Sequence, residues 1–145
     1  MQSHLGKSKG TVYSSFVRCV CCVILQDKKV FHLINSPDAT ITNFNIGLSN
    51  IQLHRYEDAI KYLLDGYKFN KAGGFPYNIG KSYEALGQGE NALKYYIESA
   101  EIRYDQLGAD HAATIDARDE AVKLASKLDR RSDLPDWFLD VGHGE

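Results

Sequence analysis

Phe44-Asn45-Ile46-Gly47 returns as Tyr77-Asn78-Ile79-Gly80, 33 residues further along the chain. The register holds beyond the tetrapeptide. Ala59 recurs as Ala92, Tyr62 as Tyr95 and Leu63 as Tyr96, all at the same offset. Self-similarity at a fixed period in this range marks a helical repeat architecture, because each unit leaves an apolar face that only a like neighbour can cover. The period therefore predicts an all-α fold of stacked antiparallel helix hairpins. It also bounds function, since such stacks mostly hold other molecules and seldom carry chemistry of their own.

Working outward, Ser36-Pro37 is a helix start: a hydroxyl to cap free N–H groups, then proline in the first turn. Ile41, Phe44, Leu48 and Ile51 follow at helical spacing. A second helix is expected from about Tyr56 to Phe69, a third from about Pro76 to Leu86 and a fourth from about Glu90 to Leu107, closed by Gly108. Asp110 is the expected cap of a fifth helix reaching about Leu128, with Ile115, Val122, Ala125 and Leu128 on its apolar face. The organisation is then a divergent segment over 1–35, a repeat domain over 36–130 and a tail over 131–145. Within the domain, repeats fall at about 36–72 and 73–109, with a capping helix over 110–129. In the tail, Leu134-Pro135-Asp136-Trp137-Phe138-Leu139 is amphipathic and is expected to fold back over exposed apolar surface; Gly142 to Glu145 should be loose.

Residues 1–35 lack the repeat signature. Arg18 to Leu25 and Val30 to Ile34 are apolar and β-branched, separated by Gln26-Asp27-Lys28-Lys29. Propensity reads a β-hairpin, context reads a degenerate helical hairpin, and an unusual gene start is a third reading. The longest apolar run, Cys19 to Leu25, is seven residues, far short of the ~20 a membrane span needs. A net charge of −2 leaves no basic excess to neutralise phosphates, so nucleic acid is not an expected partner. The three cysteines, Cys19, Cys21 and Cys22, crowd one segment without a distant partner. That favours reduced thiols and a cytoplasmic setting over a disulfide framework.

The residues resemble the tetratricopeptide repeat family over about Ser36 to Arg130. The first repeat matches through Gly47, Tyr56 and Ala59; the second matches through Gly80, Tyr83, Gly87, Ala92 and Tyr96. Small residues fall where two helices cross most closely, and aromatics fill the gaps between hairpins. Leu107-Gly108-Ala109-Asp110-His111-Ala112 is similar to the inter-repeat segment of the kinesin-light-chain-like subgroup, usually Leu-Gly-x-Asp-His-Pro. Aligning His111 with Ser36 sets Val122 42 residues after Gly80, the longer period of that subgroup. Ala112 in place of proline and Val122 in place of a small residue depart from it, as does Asn50 where tyrosine is typical. The resemblance implies a superhelical array of hairpins with a C-terminal capping helix.

It further implies a concave groove lined by the first helix of each hairpin. The positions carried over are Phe44, Asn45, Leu48 and Gln52 from the first repeat, and Tyr77, Asn78, Lys81 and Glu84 from the second. A third would add Asp116, Asp119, Glu120 and Lys123. A side-chain amide both donates and accepts, so Asn45 and Asn78 suit a peptide backbone, although each also suits a bond to a neighbouring helix. Leu48 and Lys81 stand where a carboxylate clamp of this fold would need asparagine. The groove is apolar at the first repeat and acidic at the far end, which favours a protein or peptide partner with apolar anchors and basic character. Ile41, Leu48 and Ile51 are equally read as buried under residues 1–35.

Catalytic motifs do not emerge. Gly74 to Ser82 has five residues between its glycines, where a phosphate loop has four, and no strand precedes it. Cys19-x-Cys21-Cys22 has no second cluster for a tetrahedral metal, with His32 the one nearby ligand. The expectation is a non-enzymatic protein without cofactor or metal. Self-assembly through the array end or the N-terminal apolar segment is the alternative.

Overall fold

The computed structural model describes residues 36–140. The readings of residues 1–35 and of 142–145 lie outside these described residues. A 3-10 turn at Pro37–Ala39 runs into α1 (Thr40–Gln52), followed by α2 (Tyr56–Phe69), α3 (Gly74–Ala85), α4 (Gly89–Leu107) and α5 (Ala112–Lys127). A second 3-10 turn (Arg131–Asp133) leads to the one-turn helix α6 (Asp136–Leu139). The described residues are all-helical, without a strand.

Each long helix packs on the next in sequence, because the connections are too short to do otherwise. Gly47 sits against Leu63 while Asn43 sits against Gly66, so α1 and α2 run antiparallel. A Cβ on Gly47 would lie 2.6 Å from Leu63, and one on Gly80 would lie 3.0 Å from the Tyr96 ring. These are the same pair displaced by one period, and the crossing is what the two glycines permit. Ala59 and Ala92, both fully buried, serve the same crossings.

The repetition extends to hydrogen bonds and dihedrals. Ser49 Oγ donates to Asn45 O at 2.9 Å, and Ser82 Oγ donates to Asn78 O at 2.9 Å. Left-handed residues close α1, α3 and α5: His54 (φ 57°), Gly87 (φ 75°) and Asp129 (φ 56°). The next N–H bonds back five residues each time, from Arg55 to Asn50 O (2.8 Å), Gln88 to Tyr83 O (2.9 Å) and Arg130 to Ala125 O (2.8 Å). This is the Schellman closure of a helix. The second turn follows the first by 33 residues and the third follows the second by 42.

After the third turn the return limb is short: the 3-10 turn and α6 stand where α2 and α4 stand in the earlier hairpins. The tail folds back as expected, with Leu134 and Phe138 buried against Ala92, Leu93, Tyr96 and the alanines of α5. A second core joins α2 to α3 through Ala59, Ile60, Leu63, Tyr67, Phe75 and Ile79, and Tyr83 packs against both.

Four expectations need correction. Ser36 stands extended at the N-cap but makes no side-chain capping bond; instead Thr40 Oγ1 donates to Pro37 O at 2.6 Å. Helix α3 starts two residues early, at Gly74, because Pro76 in the first turn needs no N–H partner. Helix α5 begins at Ala112, which leaves Asp110 one residue short of the cap; His111 Nδ1 accepts from Ala113 N–H at 3.1 Å. Its fully buried face is Thr114, Ala117, Ala121, Leu124 and Ala125, while Ile115, Val122 and Leu128 are half-buried. Close crossing selects small residues there, and a search for large apolar ones misses them.

Candidate functional site

The carried-over positions of the first two hairpins lie on α1 and α3. At the α1 end, the Phe44 ring meets the Phe75 ring edge-on, with centroids 4.9 Å apart. Thr40, Ile41, Phe44, Ala72, Gly74 and Phe75 wall an apolar notch of about 200 Å³. Ile41 beside it is 73% exposed, so an apolar rim here meets water uncovered by any described residue. Leu48 is half-buried and Gln52 exposed.

Further along, the half-buried Tyr77 ring packs on Tyr96 at 5.7 Å. The Arg103 guanidinium lies over Tyr77 at 4.6 Å, and Lys81 Nζ stands 5.8 Å from the ring centre. Arg103 is anchored by donating to Ala113 O at 2.6 Å, tying α4 to the first turn of α5. Burial pulls its pKa down, opposed by Tyr77 and Asp116. The Tyr77 hydroxyl is pushed up by burial, then by the carboxylates of Glu120 and Asp116 across on α5. Tyr96 is pushed up more strongly, by burial and then by its bond to Glu84, whose Oε2 accepts at 2.8 Å. Lys81, Glu84, Ala85 and Tyr96 enclose a second recess of about 240 Å³.

The two asparagines are not alike. Asn45 is exposed, whereas Asn78 is half-buried and donates Nδ2 to Gly74 O of its own helix at 2.8 Å. One donor of Asn78 is therefore spent within its own helix, which leaves it less free than Asn45. Reading by first-helix position missed Arg103 and Tyr96, which reach Tyr77 from α4, and the inter-hairpin residues Ala72 to Phe75. The offset does contain a signal: Arg103 lies one period after Asn70, which also lines the notch.

A separate open cleft of about 780 Å³ runs along α4, between Tyr67 and the Arg130–Asp133 turn. Several of its polar groups are engaged with one another. Tyr67 donates to Glu98 at 2.5 Å, and Arg130 holds both Asp133 (2.7 Å) and Glu90 (3.3 Å). Burial, followed by Glu98, raises the Tyr67 pKa.

Among the described residues no group of three or more His, Cys, Asp or Glu is placed to hold a metal. Among them, too, no helix is long and apolar enough to cross a membrane. The cysteine cluster and His32 lie outside the described residues. Comparison with protein-family models, with curated proteins and with solved structures finds no match to this chain.

Proposed function

We propose that this chain is a non-catalytic interaction module of the tetratricopeptide type that holds a partner peptide across α1, α3 and α5. The observation that carries the reading is the recurrence of one helix-closing turn at His54, Gly87 and Asp129, at the 33- and 42-residue offsets of the sequence. The longer offset supports the kinesin-light-chain-like subgroup. Three first helices then share a side, and Phe44, Leu48, Tyr77, Lys81 and Glu84 line it. The ligand is a protein segment with an apolar anchor for the Phe44–Phe75 notch and a basic residue for the carboxylates beyond Tyr77. The setting is cytoplasmic, with neither nucleic acid nor membrane as partner.

Selection of a displayed random-peptide library on the immobilised chain tests this. The enriched peptides should share an apolar residue close to Lys or Arg. Phe44→Ala should weaken them about tenfold, the size of a strong interface residue. The Asn45→Ala/Asn78→Ala double variant should act mostly through Asn45. No enrichment, or affinities indifferent to Phe44→Ala and to salt, would sink the reading.

One observation favours self-assembly as a second reading. Tyr104, Leu107 and Leu139 are 41%, 49% and 56% exposed and lie at the α4–α6 end of the array. A sedimentation coefficient that rises with concentration and falls back on Leu107→Glu would support it.

A further inference from the structure

The repeat holds one site twice, once filled and once open. Gly73, Tyr77 and Arg103 stand 33 residues after Thr40, Phe44 and Asn70. In the later set the Arg103 stem runs past Gly73, where a Cβ would meet Arg103 Cγ at 2.6 Å. Its guanidinium ends over the Tyr77 ring at 4.6 Å, and Nη1 donates to the backbone carbonyl of Ala113 at 2.6 Å. One side chain thus covers an aromatic ring and supplies a donor to the main chain of the next segment. In the earlier set, Thr40, Phe44 and Asn70 all line the apolar notch of about 200 Å³. Asparagine is too short to cover Phe44 as Arg103 covers Tyr77. Thr40 also places a Cβ where Gly73 leaves a path, which bars that route to any longer residue at position 70.

Charge disappears together with the cover. Arg103 has a carboxylate acting on it, that of Asp116. Asp116 lies 42 residues after Gly74, the same offset that separates the turns at Gly87 and Asp129. The notch therefore has Asn70 for the cation and Gly74 for the acid, and no charged residue lines it among the described residues. Lys71, beside Asn70 in the chain, lies over the Tyr67 ring at 4.1 Å and is not among its walls. A charge brought into such a place would lose water without gaining a partner, so the matching occupant is neutral. Size sets the other bound: an apolar cavity of roughly 150 Å³ accepts a benzene-sized group. The notch suits one large apolar side chain.

We infer that the Phe44–Phe75 notch is the open counterpart of the Arg103 site, taking one large neutral side chain of a partner peptide while Asn70 Nδ2 donates to the peptide carbonyl beside it. The partner supplies the cover that Arg103 provides internally, and Asn70, which is exposed, keeps the donor. Asn70 is then a specificity-determining residue. This rests on the groove reading above and adds which side chains the notch refuses, namely charged ones, and which donor sets the backbone of the peptide over it.

Gly74 makes the inference testable. A Cβ there would lie 3.6 Å from Phe44 Cζ, an ordinary contact, with nothing nearer, so Gly74→Leu fills the notch from within the chain. The probes are peptides selected from the random library on the full parent chain, with their apolar anchor found by alanine scanning. Gly74→Leu should weaken them about tenfold with helical circular dichroism unchanged. Asn70→Asp keeps the shape and removes the donors, and should weaken them about fivefold at high salt as at low, the share of one hydrogen bond. Exchange of the peptide's anchor for lysine should abolish binding. Should Gly74→Leu lose helix, Asn70→Asp and the lysine exchange decide. Peptides weakened by Phe44→Ala but indifferent to Gly74→Leu and Asn70→Asp, or tolerant of lysine at the anchor, overturn the inference and leave the groove reading standing. A library that enriches nothing overturns both. A parent oligomer that Gly74→Leu turns into a monomer seats a second copy in the notch, and that too overturns it.

Discussion

Phe44 and Tyr77 occupy the same place in successive hairpins. Phe44 faces a notch open to water, while Tyr77 is covered by Arg103 and flanked by α5. Asn45 and Asn78 diverge in the same way, one exposed and one bonded to its own helix. The hairpins share a signature and differ in neighbours: α1 begins the described stack and α3 lies inside it. A repeat thus sets its own internal crossing, and its place in the stack decides which surface is left for a partner.

The cover over the inner hairpin is the part of this comparison most open to attack. Phe138 is 2% exposed and seals the core shared by α4 and α5. Phe138→Ala should cost about 3–5 kcal/mol, the usual penalty for emptying an aromatic site in a core. Phe44→Ala, at the open end, should cost clearly less. Urea unfolding of both variants measures the difference. Equal losses would mean that the tail contributes no more to stability than an end-of-stack side chain.

The internal crossings give a sharper comparison. Ala59 and Ala92 are both fully buried at equivalent points. Leucine at either should overpack the crossing by about 1–3 kcal/mol. Ala92→Leu should be the worse, because the core cluster that contains Ala92 holds more buried residues, the α5 alanines and the tail among them, than the one that contains Ala59. An unchanged melting temperature for both would remove the crossing as the reason for the small residues.

What sequence revealed follows the same division. The crossings were legible because they exclude bulk, so Gly47 with Gly80 and Ala59 with Ala92 had to repeat. The tail was legible because Leu134 and Phe138 are too apolar to leave in water. The buried face of α5 was legible only at Ala125; Thr114, Ala117 and Ala121 escaped, since alanine and threonine are common on helix surfaces too. His111 as a cap was missed because histidine caps rarely, and Asp110 beside it looked the better candidate. At the candidate site, Phe44 and Tyr77 could be assigned equivalent places in successive hairpins from the period alone. The different fates of Asn45 and Asn78 could not, because identical letters say nothing of which helix comes next.

The three helix-closing turns offer the finest comparison, since the backbone is held constant while the residue changes. Glycine adopts the left-handed conformation freely, whereas a Cβ there costs about 1–2 kcal/mol. Gly87 sits at φ 75° with nothing within 4 Å of where a Cβ would lie, so Gly87→Ala isolates that backbone term. It should destabilise by about 1 kcal/mol. Asp129→Gly is the reverse exchange at φ 56°, and the answer is not its mirror image. Aspartate tolerates this region through local hydrogen bonding, and glycine brings an unfolded-state entropy penalty of about 0.5–1 kcal/mol, so the gain should stay within about 0.5 kcal/mol. His54→Gly should do no better, because the His54 Nδ1 contact to the Tyr56 hydroxyl at 2.8 Å is lost with the ring. Thermal melts of the three variants therefore order as Gly87→Ala lowest, with the other two near the parent. A Gly87→Ala protein as stable as the parent would show that this turn relaxes out of the left-handed region, and the equivalence of the three closures would go with it.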